Sequence, residues 1–259
     1  MQNTPKADLD PAILTFALNL EYLEAEYYLR GITGGGIDGL IVGAGGPAAG
    51  SVSIKENSKV SFANSLFEDV VTEIAHDELN HVRFFREALG ATAVTRPAID
   101  LLNSFNTLAQ AAGLGESFDP FANEINFLIG AFVFEDVGVS AFRGAAPLIS
   151  NKDYLGDAVG ILAVEAYHAG IVRSLLYGLG SDTRKAVNQI SKIRNTLSGN
   201  GSGVTDQGFE VEGRANFVPA DHNSSAFGRS ARQVLNIVYG GINATNGLFF
   251  PNGLDGPIH

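Results

Sequence analysis

Four glutamates stand in the middle of apolar helical stripes, and a chain that buries them must find a counter-charge. Glu21 follows Leu14, Ala17 and Leu18 by seven, four and three residues, and precedes Ala25 and Tyr28 by four and seven. That spacing puts all of them on one helix face. Glu135 has the same setting among Leu128, Ala131, Phe132, Val139 and Phe142. Glu78 lies four after Ile74 and four before Val82, with His81 three residues on and four before Phe85. Glu165 lies four after Ile161 and four before Ala169, and His168 shares its face. An isolated buried carboxylate costs several kcal/mol, so four of them call for a common cation.

One carboxylate from each of two helices, and a Glu-x-x-His pair from each of the other two, is a donor set for two metal ions. Carboxylates can bridge the ions and an imidazole can cap each one. The mixture of oxygen and nitrogen donors suits iron or manganese. Three of the five histidines have a glutamate three residues earlier, so the second helix poses a choice between Glu73/His76 and Glu78/His81. At about 100° per residue, Val71, Ile74, Glu78, His81 and Phe85 share one arc. Glu73 and His76 point roughly 130–190° away, with Asn80, Arg83 and Glu87. This assigns Glu78 and His81 as ligands and Glu73 and His76 to a solvated or outer layer. Glu24 and Glu26 are read as flank and surface residues, although Glu24, three from Glu21, is within reach of the site.

The apolar period predicts long helices over about 11–30, 58–89, 120–142 and 153–179. Asp8 or Asp10 could cap the first, with Pro11 in its opening turn. Gly90 and Gly180 end the second and fourth. Shorter helices are expected over 101–112, 183–197 and 226–239, with a loop at 198–203 and coil after Gly240. No strand signal or internal repeat stands out. The Gly-rich stretch 31–50 contains Gly34-Gly-Gly-Ile-Asp-Gly39, which formally fits a dinucleotide fingerprint. It follows a helix, whereas that motif must follow a strand, so a crossover or short hairpin is the better reading. The expected fold is all-α: a four-helix bundle over 1–180 and an extension over 181–259 packed on it.

Composition narrows the function. Residues are 45% hydrophobic and 17% charged, so the chain folds around a core. There is no cysteine, which excludes disulfides, thiolate chemistry and Cys-ligated zinc or iron–sulfur centres. A net charge of −11 argues against nucleic acid and anionic membrane surfaces. The longest unbroken apolar run, Phe127–Phe134, is far short of the roughly 20 residues of a membrane span. The N-terminal residues fit a cytosolic chain as well as a trimmed export product.

The stretches Leu18-Asn-Leu-Glu-Tyr-Leu-Glu-Ala-Glu-Tyr-Tyr28, Asp77-Glu-Leu-Asn-His-Val-Arg-Phe84, Glu135-Asp-Val-Gly-Val-Ser140 and Glu165-Ala-Tyr-His-Ala-Gly170, with the tail Phe249-Phe-Pro-Asn-Gly-Leu-Asp-Gly256, resemble the ferritin-like superfamily. More narrowly, they are similar to its desiccation-related ferritin-like proteins. The resemblance implies a ferritin-like bundle holding two Fe or Mn ions on Glu21, Glu78, His81, Glu135, Glu165 and His168. It implies redox chemistry on a small oxidant, O2 or H2O2, and a role for Tyr28, seven residues after Glu21, as in many iron sites of the superfamily. Phe142 stands at the matching place after Glu135, which speaks against a two-tyrosine electron path. Two other readings remain open: a non-enzymatic desiccation protein whose metals hold helices together, and a surface-assembly protein using its Gly-rich loops. A homo-oligomer is compatible with any of them, though the Gly-rich segment and C-terminal extension would obstruct a closed shell.

Overall fold

The computed structural model describes residues 8–45, 48–199, 203 and 205–259. Four long helices dominate: α1 (Asp10–Thr33), α2 (Ser65–Leu89), α4 (Glu124–Ala145) and α5 (Lys152–Gly178). Shorter helices are α3 (Asn103–Ala111), α6 (Ser181–Leu197) and α7 (Ala231–Val238). Part of the loop expected at 198–203 lies outside the described residues. Two small strand pairs add to the reading from sequence. β1 (Val52–Ser53) runs parallel to β2 (Ile99–Asp100), and β3 (Glu210–Val211) antiparallel to β4 (Arg214–Ala215).

Helix boundaries follow local chemistry. α2 starts at Ser65 rather than near residue 58, because the Asn64 side chain accepts the Leu66 N–H at 3.0 Å. α4 starts after Asn123, which caps Asn126 at 2.9 Å. α7 starts at Ala231 rather than near 226, with a reciprocal capping box between Ser230 and Gln233. α1 has no side-chain cap bond at its N-cap, Leu9. Asp8 accepts the Asp10 N–H at 3.0 Å. Asp10 instead accepts the backbone N–H groups of Ser150 and Asn151, both at 2.7 Å, tying the start of α1 to the start of α5.

Contacts between distant residues fix the helix directions. Glu21 meets His81, and the carbonyl of Arg30 near the end of α1 accepts from Ser58, so α1 and α2 are antiparallel. Gly138 lies against Glu165 and Glu135 near His168, so α4 and α5 are antiparallel too. Tyr28 bonds Glu135 while Asp10 reaches Ser150, which sets α4 antiparallel to α1. The Gly-rich segment after α1 therefore joins antiparallel neighbours. The connection that travels the length of the bundle is 90–123, between the parallel helices α2 and α4, and it carries β2 and α3.

α6 and α7 both pack on α4. A buried ion network bolts this extension down. Asp136 pairs with Arg173 and Arg194, both at 2.8 Å. Asp206 pairs with Arg194 at 2.9 Å and Arg229 at 2.8 Å, and accepts from Ser191 at 2.6 Å. Arg229 also donates to Ser140 on α4 at 2.6 Å.

By length and composition, α4 with the short turn after it (Glu124–Leu148) and α5 are both long and apolar enough to cross a membrane, although neither is an unbroken apolar run. The apolar window of α4 is 78% buried within the fold, as expected of a core helix. α5 carries the buried Glu165 and His168, groups costly to place in hydrocarbon.

Candidate metal centre

The six residues singled out by periodicity converge at the middle of the bundle. All four glutamates are at most 2% exposed, and His81 and His168 are 7% and 5% exposed. His81 Nδ1 stands 3.2 Å from both Glu21 Oε2 and Glu78 Oε2, and 3.5 Å from Glu165 Oε1. His168 Nδ1 stands 3.0 Å from Glu78 Oε1 and 3.6 Å from Glu135 Oε2. The two imidazole centroids are 6.3 Å apart. One carboxylate, Glu78, thus serves both histidines. Glu21, Glu78, His81 and Glu165 offer donor atoms within 4.8 Å of one another, and so do Glu78, Glu135 and His168.

The donors are poorly satisfied by each other. Glu78 Oε1, Glu135 Oε2, both oxygens of Glu165 and His168 Nδ1 are buried without a hydrogen-bond partner. His168 Nδ1 is close to Glu78 Oε1 but out of line for a hydrogen bond. Orphaned atoms of this kind cost roughly 1–3 kcal/mol each, more when charged. A cation would satisfy them together, so the residues fit a metal centre.

The electrostatics point the same way. Burial pushes the Glu21 carboxyl up to about 8, with Glu78 adding to the rise and His81 opposing it. Burial likewise raises Glu135 to about 8, with His168 opposing and Glu78 reinforcing. Glu165 and Glu24 are held well above the ordinary carboxylate range by burial and by repulsion from Glu78 and other glutamates. Glu78 goes the other way. Burial acts against its charge, but the close approach of the His168 and His81 imidazoles outweighs it and holds the carboxyl below the ordinary range. Burial alone would lower both histidines. Glu21 and Glu78 instead raise His81 to about 11, and Glu78, Glu135 and Asp77 raise His168 to about 9. Without metal, protonated imidazoles supply positive charge and protonation of the raised carboxyls removes negative charge.

Tyr28 is fully buried and its hydroxyl donates to Glu135 Oε1. Tyr27, beside it, donates to the Phe127 carbonyl at 2.6 Å and stacks on that ring. Phe142 stacks on Phe85, so the position after Glu135 is filled by hydrocarbon, as the sequence says. Glu73 and His76 are exposed and away from the cluster.

Three acidic residues have roles that periodicity did not assign. Glu24 is buried, not a flank residue, and joins Glu135 and Glu165 within 4.8 Å. Glu26 is fully buried rather than on the surface, and is neutralised by Arg30 at 2.7 Å and by Arg96. Asp77 accepts from His168 Nε2 at 3.1 Å. That bond places the ring so that Nδ1 faces the glutamates, the orientation a ligating histidine needs. For Asp77 the only signal in the sequence is a carboxylate next to a ligand.

The ferritin-like domain family matches residues 9–178, which contain all four long helices. The chain is 34% identical over 253 residues to the desiccation-related protein PCC13-62 of Craterostigma plantagineum, covering 89% of this chain and 77% of that one. It is 28% identical over 276 residues to the ferritin-like catalase Nec2 of Nesocodon mauritianus, covering 98% and 85%. No solved structure matches it. Four long helices converging on buried glutamates and histidines, together with the family match over 9–178, place this chain in the ferritin-like domain family.

Proposed function

We propose that the chain is a di-metal carboxylate protein that reacts with O2 or H2O2, in ferroxidase, peroxidase or catalase-like chemistry, and serves in stress protection. The observation that carries this reading is the shared Glu78 carboxylate between two inward-facing Nδ1 atoms, ringed by glutamates with orphaned oxygens. Glu21, Glu78, His81, Glu135, Glu165 and His168 would hold two Fe or Mn ions. Bound iron or manganese would supply the electrons exchanged with the oxidant.

The chain's own residues do the rest. Asp77 orients His168. Tyr28 holds one oxygen of Glu135 by its hydroxyl, which fixes the rotamer of that carboxylate and leaves Oε2 facing His168. The phenol is the oxidisable side chain bonded directly to a candidate ligand. Aromatic rings of Tyr27, Phe127 and Phe134 wall the Tyr28 side and exclude water, a setting that favours small uncharged oxidants over ions. The catalase name of one relative and the desiccation name of the other fit the same reading.

The test is to load metal-free protein with Fe(II) or Mn(II) separately and add O2 or H2O2. Elemental analysis should find about two metals per chain. Absorbance reports metal oxidation, and an oxygen electrode reports peroxide disproportionation. Glu135→Ala should abolish either signal while circular dichroism stays helical. Loaded protein inert to both oxidants would favour the second reading, a non-enzymatic desiccation protein whose metals tie the helices together. A folded, never-chelated sample free of metal would sink both.

A further inference from the structure

Glu24 lies on α1 one turn after Glu21 and is 6% exposed. Its Oε2 has no hydrogen-bond partner. The space around it is built for carboxylates. On α4, one turn after Glu135, stands Gly138, where a Cβ would come within 2.3 Å of Glu165 Oε2 and 3.6 Å of Glu24 Oε1. Only a residue without a side chain lets Glu165 lie against the helix backbone there. On its other side Glu24 borders a small cavity walled by Leu20, Leu23, Val137, Ile237 and Phe249. A leucine would suit that wall better than a carboxylate with an orphaned oxygen, which is destabilising where it stands.

The two ligand groups are unequal. Four side chains surround the His81 position, namely Glu21, Glu78, His81 and Glu165. Three surround the His168 position: Glu78, Glu135 and His168. Glu24 shares its own group with Glu135 of the three-donor position and Glu165 of the four-donor position, and the three-donor position is the one with room for a further donor. Given the two-metal reading above, on which this rests, we propose that Glu24 is a seventh ligand completing the His168 position. With Glu24 the His168 position holds three carboxylates and one imidazole, the same complement as Glu21, Glu78, Glu165 and His81 at its neighbour.

The test is equilibrium binding of Co(II) to metal-free protein, read by dialysis and by the visible d–d bands. Wild type should bind two equivalents. Glu24→Gln should keep one position at wild-type affinity and weaken the other by about 10-fold or more, with a changed band intensity as the coordination number falls. Glu24→Leu removes the carboxylate without leaving a polar group behind and should give the same selective loss, so a poorly folded glutamine variant does not decide the matter. Two positions of unchanged affinity and spectrum in both variants would overturn the proposal, as would equal weakening of both positions. Glu78→Gln is the control for the underlying reading. If it weakens both positions while the Glu24 variants bind normally, the seventh ligand alone fails; if it too is without effect, the two-metal reading fails.

Discussion

His168 turns its Nε2 to Asp77 at 3.1 Å, and this one contact decides which ring nitrogen faces Glu78 and Glu135. Asp77 is partly exposed and contributes nothing to the core, so its removal should leave the fold intact. Asp77→Ala should lower metal affinity by about 10–100-fold with little change in the melting temperature of metal-free protein. A metal titration beside a thermal melt checks both halves.

His81 and His76 both follow a glutamate by three residues on α2, but one is buried in the cluster and the other is solvated. His81→Ala should lose metal occupancy sharply, and His76→Ala should keep it. Elemental analysis of the two variants is sufficient, and the opposite ranking would refute the assignment of the inward face of α2.

Metal-free protein should be more stable in mild acid than in mild base. Glu21 and Glu135 titrate near 8 when folded, against an ordinary 4.5. His81 and His168 titrate near 11 and 9, against 6.5. In each case the folded state holds its proton longer than the unfolded chain. The stabilisation is therefore full below the unfolded value and is lost as pH rises toward the folded one. Glu78, held low, acts oppositely, but only below its ordinary 4.5. Melts of metal-free protein should give a Tm that falls steadily from about pH 5 to pH 9. Bound metal should reverse the trend in mild base, because its ligands must be deprotonated and affinity rises with pH. A Tm rising from pH 5 to 8 without metal would contradict this account.

The ion network beneath the C-terminal extension should be sensitive to loss of one partner. Asp206 is the shared acceptor for Arg194 and Arg229, and all three are almost fully buried. Asp206→Ala leaves Arg229 without a carboxylate partner and Arg194 with Asp136 alone, and should cost about 3–5 kcal/mol, measured by denaturant unfolding of metal-loaded protein. A change within the error of the midpoint would mean that water or a shifted carboxylate takes its place.

The sequence by itself determined the four long helices and, on each, an apolar stripe interrupted by a glutamate, with a histidine beside it on two of them. A period of 3.6 residues marks one apolar stripe, and an acid inside that stripe is visible as a break in it. The same logic separated His81 from His76 on one helix. It failed on α1, where Glu24 and Glu26 looked like the outer face. α1 has no outer face: Tyr22 bonds the Val94 carbonyl, Glu26 meets Arg96, and Asn19 donates to the carbonyl of Asp255. Those partners lie 70 or more residues away along the chain, and no local period encodes them. Only the tertiary structure could decide that Glu24 lies against Glu135 and Glu165 while Glu26, two residues on, is neutralised by arginine, because a carboxylate's role is set by the charges that packing brings beside it.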